Sequence, residues 1–343
     1  MRIIDAHLDI AWNAIALGRD PTLPIAESRR REEGSPLAER EGEVTVSLAE
    51  LRSAGAAIVF ATLFVLPEGV ESTLEAIAYS TPEQAHEQAL AHLEYYRNLE
   101  QRGIVQIVTS RQSLHDVTEH GALGLVLLME GADPIRTPEE LSFWYEAGVR
   151  IVGPAWQATR YCGGTNAPGP LTALGRELLA EMDRRSLALD LSHMAEESFW
   201  QALELFQGPV IASHSNCRTF IPTDRHLSDA MIRAIVERDG VIGVLPYNGF
   251  LVAEWDGCKD SVGLEDVLRH IEHICSVAGD RLHVGIGSDF DGGFGRQGIP
   301  REFDSWADLA LLAQGLSSAG WSEQEVAGFM GGNWLRWLER VLP

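Results

Sequence analysis

Four stretches of this chain are almost wholly apolar and five to nine residues long: "AAIVFATLF", "LGLVLLM", "PVIAS" and "GVIGVL". A strand with one wet face alternates apolar and polar residues. A run without alternation is covered on both faces, as in a parallel sheet sheathed by helices. With shorter runs of the same kind, strands are expected at Ile3–His7, Ala57–Phe64, Val105–Thr109, Gly124–Met129, Arg150–Trp156, Ala188–Ser192, Val210–Ser213, Val241–Leu245 and His283–Gly287. Amphipathic stretches between them predict helices at Pro82–Arg102, Thr172–Arg185, Glu196–Phe206, Ser228–Arg238, Leu264–Ala278, Ser305–Ala319 and Ser322–Val341. This repeated alternation predicts an α/β fold, a (β/α)8 TIM-like barrel, with an open doubly wound sheet as the alternative. Nine strands exceed the eight of a barrel, so one is misassigned or lies outside it. Residues 1–343 read as one barrel domain.

Hydrophobic residues make up 45% of the chain, enough for a large core, and 33 glycines suit many tight strand-to-helix connections. The net charge of −23 repels phosphate backbones and anionic lipid, which argues against nucleic acid and membrane surfaces as partners. Cys162, Cys217, Cys258 and Cys275 lack the paired spacing of a zinc knot or disulfide framework. No signal peptide is visible, and no apolar run reaches the roughly 18 residues a membrane helix needs, so a cytoplasmic protein is expected. The mixed-charge segment Arg29–Glu43 reads as a solvated loop. The closing "NWLRWLERVL" reads as a core-packing helix end, with a homo-oligomer contact as the alternative.

Chemistry gathers where the apolar strands stop. "IIDAH" delivers His7 and then Asp9, and residues two apart on a strand share a face. "LGLVLLME" delivers Glu130, "LALDLSH" His193, "PVIASH" His214 and "LHVGIGSD" Asp289. A histidine after a strand is often an ordinary loop residue, and an aspartate often caps the next helix. Five such endings in one chain exceed what capping explains. In a barrel the carboxyl ends of the strands meet at one mouth. Three histidines and three carboxylates there suit a pair of divalent metals, zinc foremost, with Glu130 as the bridge because it stands alone on its strand. His86, His92, His270 and His273 fall within helical stretches and are expected to face solvent, with His115 and His120 in a polar loop.

The ordered set "DAHLD", "MEG", "DLSH", "ASHS", "GVIGV", "GIGSDFDG" and "GGNWLRW" resembles the membrane (renal) dipeptidase family of the amidohydrolase superfamily. The resemblance spans nearly the whole chain. It implies a distorted (β/α)8 barrel with two Zn2+ per chain that hydrolyses dipeptides, including those with a D-residue at the carboxyl end. It implies His7 and Asp9 as ligands of one zinc, His193 and His214 as ligands of the other, and Glu130 between them. It further implies Asp289 as catalytic acid/base, Arg225 as the partner of the substrate carboxylate and Tyr247 as a pocket residue. Two positions depart from the family pattern: His226 stands where Asn usually follows the arginine, and Trp156 stands where renal-type members carry His. Alternative functions are an amidohydrolase acting on a lactone or N-acyl amino acid, and a non-catalytic barrel that binds metal or peptide.

Overall fold

The computed structural model describes residues 2–70 and 77–343. Among the described residues nine strands are present: β1 (Ile3–Leu8), β2 (Ala56–Phe64), β3 (Gln106–Ile107), β4 (Gly124–Glu130), β5 (Val149–Gly153), β6 (Ala188–Asp190), β7 (Val210–Ile211), β8 (Ile242–Val244) and β9 (Val284–Ile286). Eight of them run parallel in the order β7-β6-β5-β4-β2-β1-β9-β8. A parallel bridge between Ala212 and Ile242 brings the two edges together, so the sheet is a nearly closed barrel. The surplus strand is β3, which pairs only with the start of β4. The expected (β/α)8 architecture is thus observed, and the open sheet is not.

The barrel interior explains the uninterrupted apolar runs. Ile4, Ala6, Ile58, Phe60, Val126, Leu128, Ile151, Ala188 and Ile211 form one buried cluster inside it, against Trp334 and Trp337. The helix Asn333–Val341 carries both tryptophans and plugs the lower end, with the Trp334 indole donating to Ile286 O at 3.0 Å. "NWLRWLERVL" is therefore core packing, and truncating a tryptophan so enclosed costs roughly 3–5 kcal/mol. The predicted helix Ser322–Val341 is interrupted: Glu323–Ala327 and Asn333–Val341 flank a π-turn at Gly328–Gly332.

Three other expectations are corrected. His86, His92 and His270 are buried, because the inner faces of their helices reach the core; only His273 remains half-buried. His86 Nδ1 lies 2.9 Å from Pro134 O, and His270 Nδ1 accepts from Cys217 N at 3.1 Å. His115 and His120 belong to a helix, Arg111–His120, started by a Ser110–Ser113 capping box and ended by Gly121 in the left-handed region. Only Leu114 and Val117 face inward there, too few to show a period.

The segment Arg29–Glu43 is not a free loop. It holds the end of the helix Ile25–Glu32 and the helix Pro36–Glu41, which Ser35 caps. Buried Arg19 ties it down through Glu32 and Gly42 O (2.7 Å), and Arg29 donates to Val44 O and Asp304. Paired charges, rather than apolar spacing, order this stretch. Among the described residues no helix is long and apolar enough to cross a membrane.

Candidate active site

Six of the singled-out residues leave the barrel at the carboxyl ends of strands. His7 lies on β1 and Asp9 directly after it, Glu130 ends β4, and His193, His214 and Asp289 each stand three residues past β6, β7 and β9. His193 and Asp289 adopt left-handed backbone, with φ of 64° and 54°. Non-glycine residues rarely do so, and such turns swing a side chain sharply over a strand end. Asp289 is held in its turn by Asp5, which accepts from Ser288 N at 2.8 Å and from the Trp306 indole at 2.6 Å.

The structure brings these six side chains together. Glu130 Oε2 lies 3.2 Å from His7 Nε2, and Glu130 Oε1 lies 3.3 Å from His193 Nε2 and 3.4 Å from His214 Nε2. Asp9 and Asp289 approach His7 Nε2 to 3.8 and 3.9 Å. Two ligand triads share one carboxylate: His7–Asp9–Glu130 and Glu130–His193–His214. All six are buried or nearly so. Three carboxylates out of water demand cationic partners. Burial disfavours charge on His7, yet Glu130, Asp9 and Asp289 outweigh it and lift its pKa to about 10. Burial, then Glu130, pushes Asp9 up to about 6 despite His7. Burial also raises Asp289 well above the carboxylate range and drives His193 and His214 well below the usual imidazole value.

Divalent metal fits this donor set. His7 Nε2 is buried without a hydrogen-bond partner. The Nδ1 atoms of all three imidazoles are engaged elsewhere: His7 and His214 on the Ser213 hydroxyl, His193 on the Thr165 hydroxyl. Their Nε2 atoms are left for ligation, in the manner of histidines oriented by an outer hydrogen bond. Thr62 donates to Asp9, and Asp190 receives the Ser213 hydroxyl. Sequence reasoning passed over Thr62, Thr165, Asp190 and Ser213. Asp190 sits three residues before His193, and Ser213 directly precedes His214; either adjacency could have flagged them. Ser213 fits here because Gly243 and Gly287 lack side chains: a Cβ on either would overlap the Ser213 carbonyl oxygen.

A cavity of about 310 Å³ opens over the cluster, lined among others by Asp9, Glu130, His193, His214, Arg225 and Asp289. Arg225 is buried; it donates to His214 O at 2.7 Å and to Ser215 Oγ at 3.3 Å, and its Nε has no partner. Donors of the guanidinium therefore remain for a ligand. Trp156 lines the same cavity, packs against Phe64 and joins Trp12 and Leu66 in an apolar wall. Tyr247 does not reach this cavity: it stacks on Phe294 at 4.5 Å and lines a neighbouring space. His226 is buried under the Phe250 ring with both nitrogens unpartnered. Glu41, from the segment expected to be solvated, is buried, pairs with Arg40 and lines the cavity wall. Trp12, Gln157 and Glu41 are lining residues that sequence patterns did not reveal.

The same architecture occurs in solved proteins. The structure superposes on the crystal structure of the metallopeptidase called dipeptidase AC with a TM-score of 0.84, 27% identity and coverage of 100% of this chain and 99% of that one. A metallopeptidase from Rhodobacter sphaeroides, solved with a phosphinate mimic of the dipeptide L-Ala-D-Ala, gives 0.83 at 26% identity, with 99% of each chain covered. A Klebsiella pneumoniae protein encoded in the pqqA 5' region is 34% identical over 250 residues, 70% of this chain and 90% of its own. The family profile described as membrane dipeptidase, peptidase family M19, matches residues 1–342. By fold and by sequence, this chain belongs to the membrane dipeptidase family.

Proposed function

We propose that the chain is a two-metal dipeptidase that hydrolyses free dipeptides, with zinc as the metal. The observation that carries this is one cavity that opens over the Glu130-centred ligand triads and is lined by Arg225 with its unspent donors. His7, Asp9 and Glu130 would hold one ion, and Glu130, His193 and His214 the other. Zinc ions bound there supply Lewis acidity, polarising a carbonyl and bringing a water within reach of deprotonation near neutral pH.

The chain's own residues do the rest. Arg225 clamps the substrate's terminal carboxylate by charge-assisted hydrogen bonds, fixing the peptide across the cluster. Asp289 accepts a proton from the attacking water on its carboxylate and passes it to the departing amine nitrogen. Trp156, with Trp12, Phe64 and Leu66, walls the cavity and keeps bulk water off the peptide. Glu41 places a carboxylate on the cavity wall, suited to a free ammonium. The Rhodobacter sphaeroides relative that carries an L-Ala-D-Ala mimic supports substrates of this class, including L-Xaa-D-Xaa.

The test is a comparison on zinc-loaded protein of L-Ala-L-Ala and L-Ala-D-Ala with N-acetyl-alanine and an acyl-homoserine lactone. Cleavage of the free dipeptides in preference to the others is expected. Preference for the lactone or the N-acyl amino acid would make the chain another kind of amidohydrolase. No hydrolysis with both metals bound would make it a binding protein.

A further inference from the structure

We propose that Asp190 and Ser213 are positioning residues that fix the tautomers of His7 and His214 together, so that one serine hydroxyl couples the two metal subsites. The inference rests on the two-metal reading above. Ser213 Oγ lies 2.5 Å from Asp190 Oδ2, 2.8 Å from His214 Nδ1 and 3.2 Å from His7 Nδ1. Ser192 Oγ, at 3.4 Å, is its remaining side-chain neighbour and lies beyond good O–H···O distance.

A hydroxyl has one proton to give and two lone pairs to receive with, whereas an ionised carboxylate only accepts. Asp190 Oδ1 already accepts from Ser192 N at 3.0 Å and from Ser213 N at 2.9 Å. Its Oδ2 faces Ser213 and takes that hydroxyl's single proton. Both lone pairs of Ser213 are then left for the two imidazoles, which must each arrive as Nδ1–H donors. With the proton on Nδ1, each Nε2 carries a bare lone pair, the form a metal requires. His7 and His214 lie ring against ring at 3.7 Å between centroids, which lets one oxygen serve both. In the two triads that share Glu130 they fall on opposite sides, and they also meet in a third group with Asp289. His193 is held separately, by Thr165 at 3.0 Å.

Asp190→Asn inverts this logic without changing shape. The two backbone N–H groups require an oxygen at the Oδ1 position, so the new NH2 must face Ser213. It donates there, and the Ser213 proton turns toward one imidazole Nδ1. That ring must move its own proton to Nε2, where it blocks ligation. Ser213→Ala removes the shared acceptor from both rings, while Thr165→Val removes only the partner of His193.

The experiment measures stepwise zinc dissociation constants by chelator competition, alongside melting of each metal-free variant. Loss of an outer partner typically weakens metal binding roughly 10- to 100-fold. Ser213→Ala should weaken both zinc steps by about that factor and Thr165→Val only one. In 15N spectra of the zinc-loaded protein, Nδ1–H protons of both His7 and His214 should be visible in the parent. One should be missing in Asp190→Asn, which reads the tautomer directly and separates positioning from mere stability. If the parent binds two zinc ions while Ser213→Ala keeps both within about threefold, or Asp190→Asn keeps both Nδ1–H signals, the coupling does not exist. A parent that binds one zinc or none overturns the two-metal reading and this inference with it.

Discussion

The Nε2 atoms of His193 and His214 face each other across 3.0 Å. The Nδ1 of each is engaged by a hydroxyl; with the ring proton held there, two lone pairs point at one another beside the Glu130 carboxylate. A cation at that point relieves the repulsion. In His193→Ala this subsite keeps His214 and Glu130, too few protein ligands for a stable zinc site. Metal analysis of the variant should find about one zinc per chain where the parent holds two. Two retained equivalents would remove His193 from the ligand set.

Asp289 is the proposed proton carrier, and Asp289→Asn keeps its size while removing the acceptor. Acid–base groups contribute roughly 10²–10⁴ in rate, so kcat should fall by at least that range with zinc content unchanged. Steady-state kinetics beside metal analysis decides this; near-normal turnover would assign the proton to another group.

Arg225 keeps an unpartnered Nε in a buried setting. Hydrogen bonds to a charged group are each worth about 1.5–3 kcal/mol, a factor of roughly 10 to 150 in affinity. Arg225→Ala should therefore raise KM by at least tenfold, and dipeptide amides should already be poor substrates of the parent. Equal cleavage of amides and free acids would show that Arg225 does not hold a carboxylate.

Trp156 stands where renal-type members carry histidine, and the structure packs it into an apolar wall with Phe64, Trp12 and Leu66. A wall residue shapes uniform binding and not the chemical step. Trp156→Phe should leave kcat within about tenfold of parent while reordering preference across a dipeptide panel. A hundredfold or larger loss, the size expected for a transition-state donor, would mean its indole N–H touches the reacting oxygen.

Much of this was legible in the sequence because a parallel barrel writes itself plainly. Strands such as Ala56–Phe64 and Gly124–Glu130 are buried on both faces, and Thr62 and the terminal Glu130 are their sole polar residues. Their ends also displayed Glu130, His193, His214 and Asp289 as abrupt polar residues after apolar runs. What stayed hidden was held by charge and by long-range contact. Glu41 reaches the cavity wall through Arg19 and Gly42, over twenty residues apart. Ser213 looks like any strand-end serine until Asp190 is brought beside it from another strand. Tyr247 followed a strand like the residues gathered around Glu130, but its ring turned onto Phe294 instead.

Removing metal should destabilise the fold as well as stop catalysis. Without cations the three carboxylates of Asp9, Glu130 and Asp289 repel one another in a buried space. Ligand saturation at about 100 times Kd stabilises by about 2.7 kcal/mol per site. Stripping the protein with a chelator should lower its melting temperature by several degrees, and zinc should restore it. Identical melting with and without zinc would show that no ion is held in the cluster.

The most direct test of the two-metal account is zinc per chain in the zinc-replete parent, measured by elemental analysis against protein concentration after removal of loosely bound ions. Two triads sharing Glu130 require a value close to two. A value of one or less would contradict the shared-carboxylate centre on which the proposed chemistry depends.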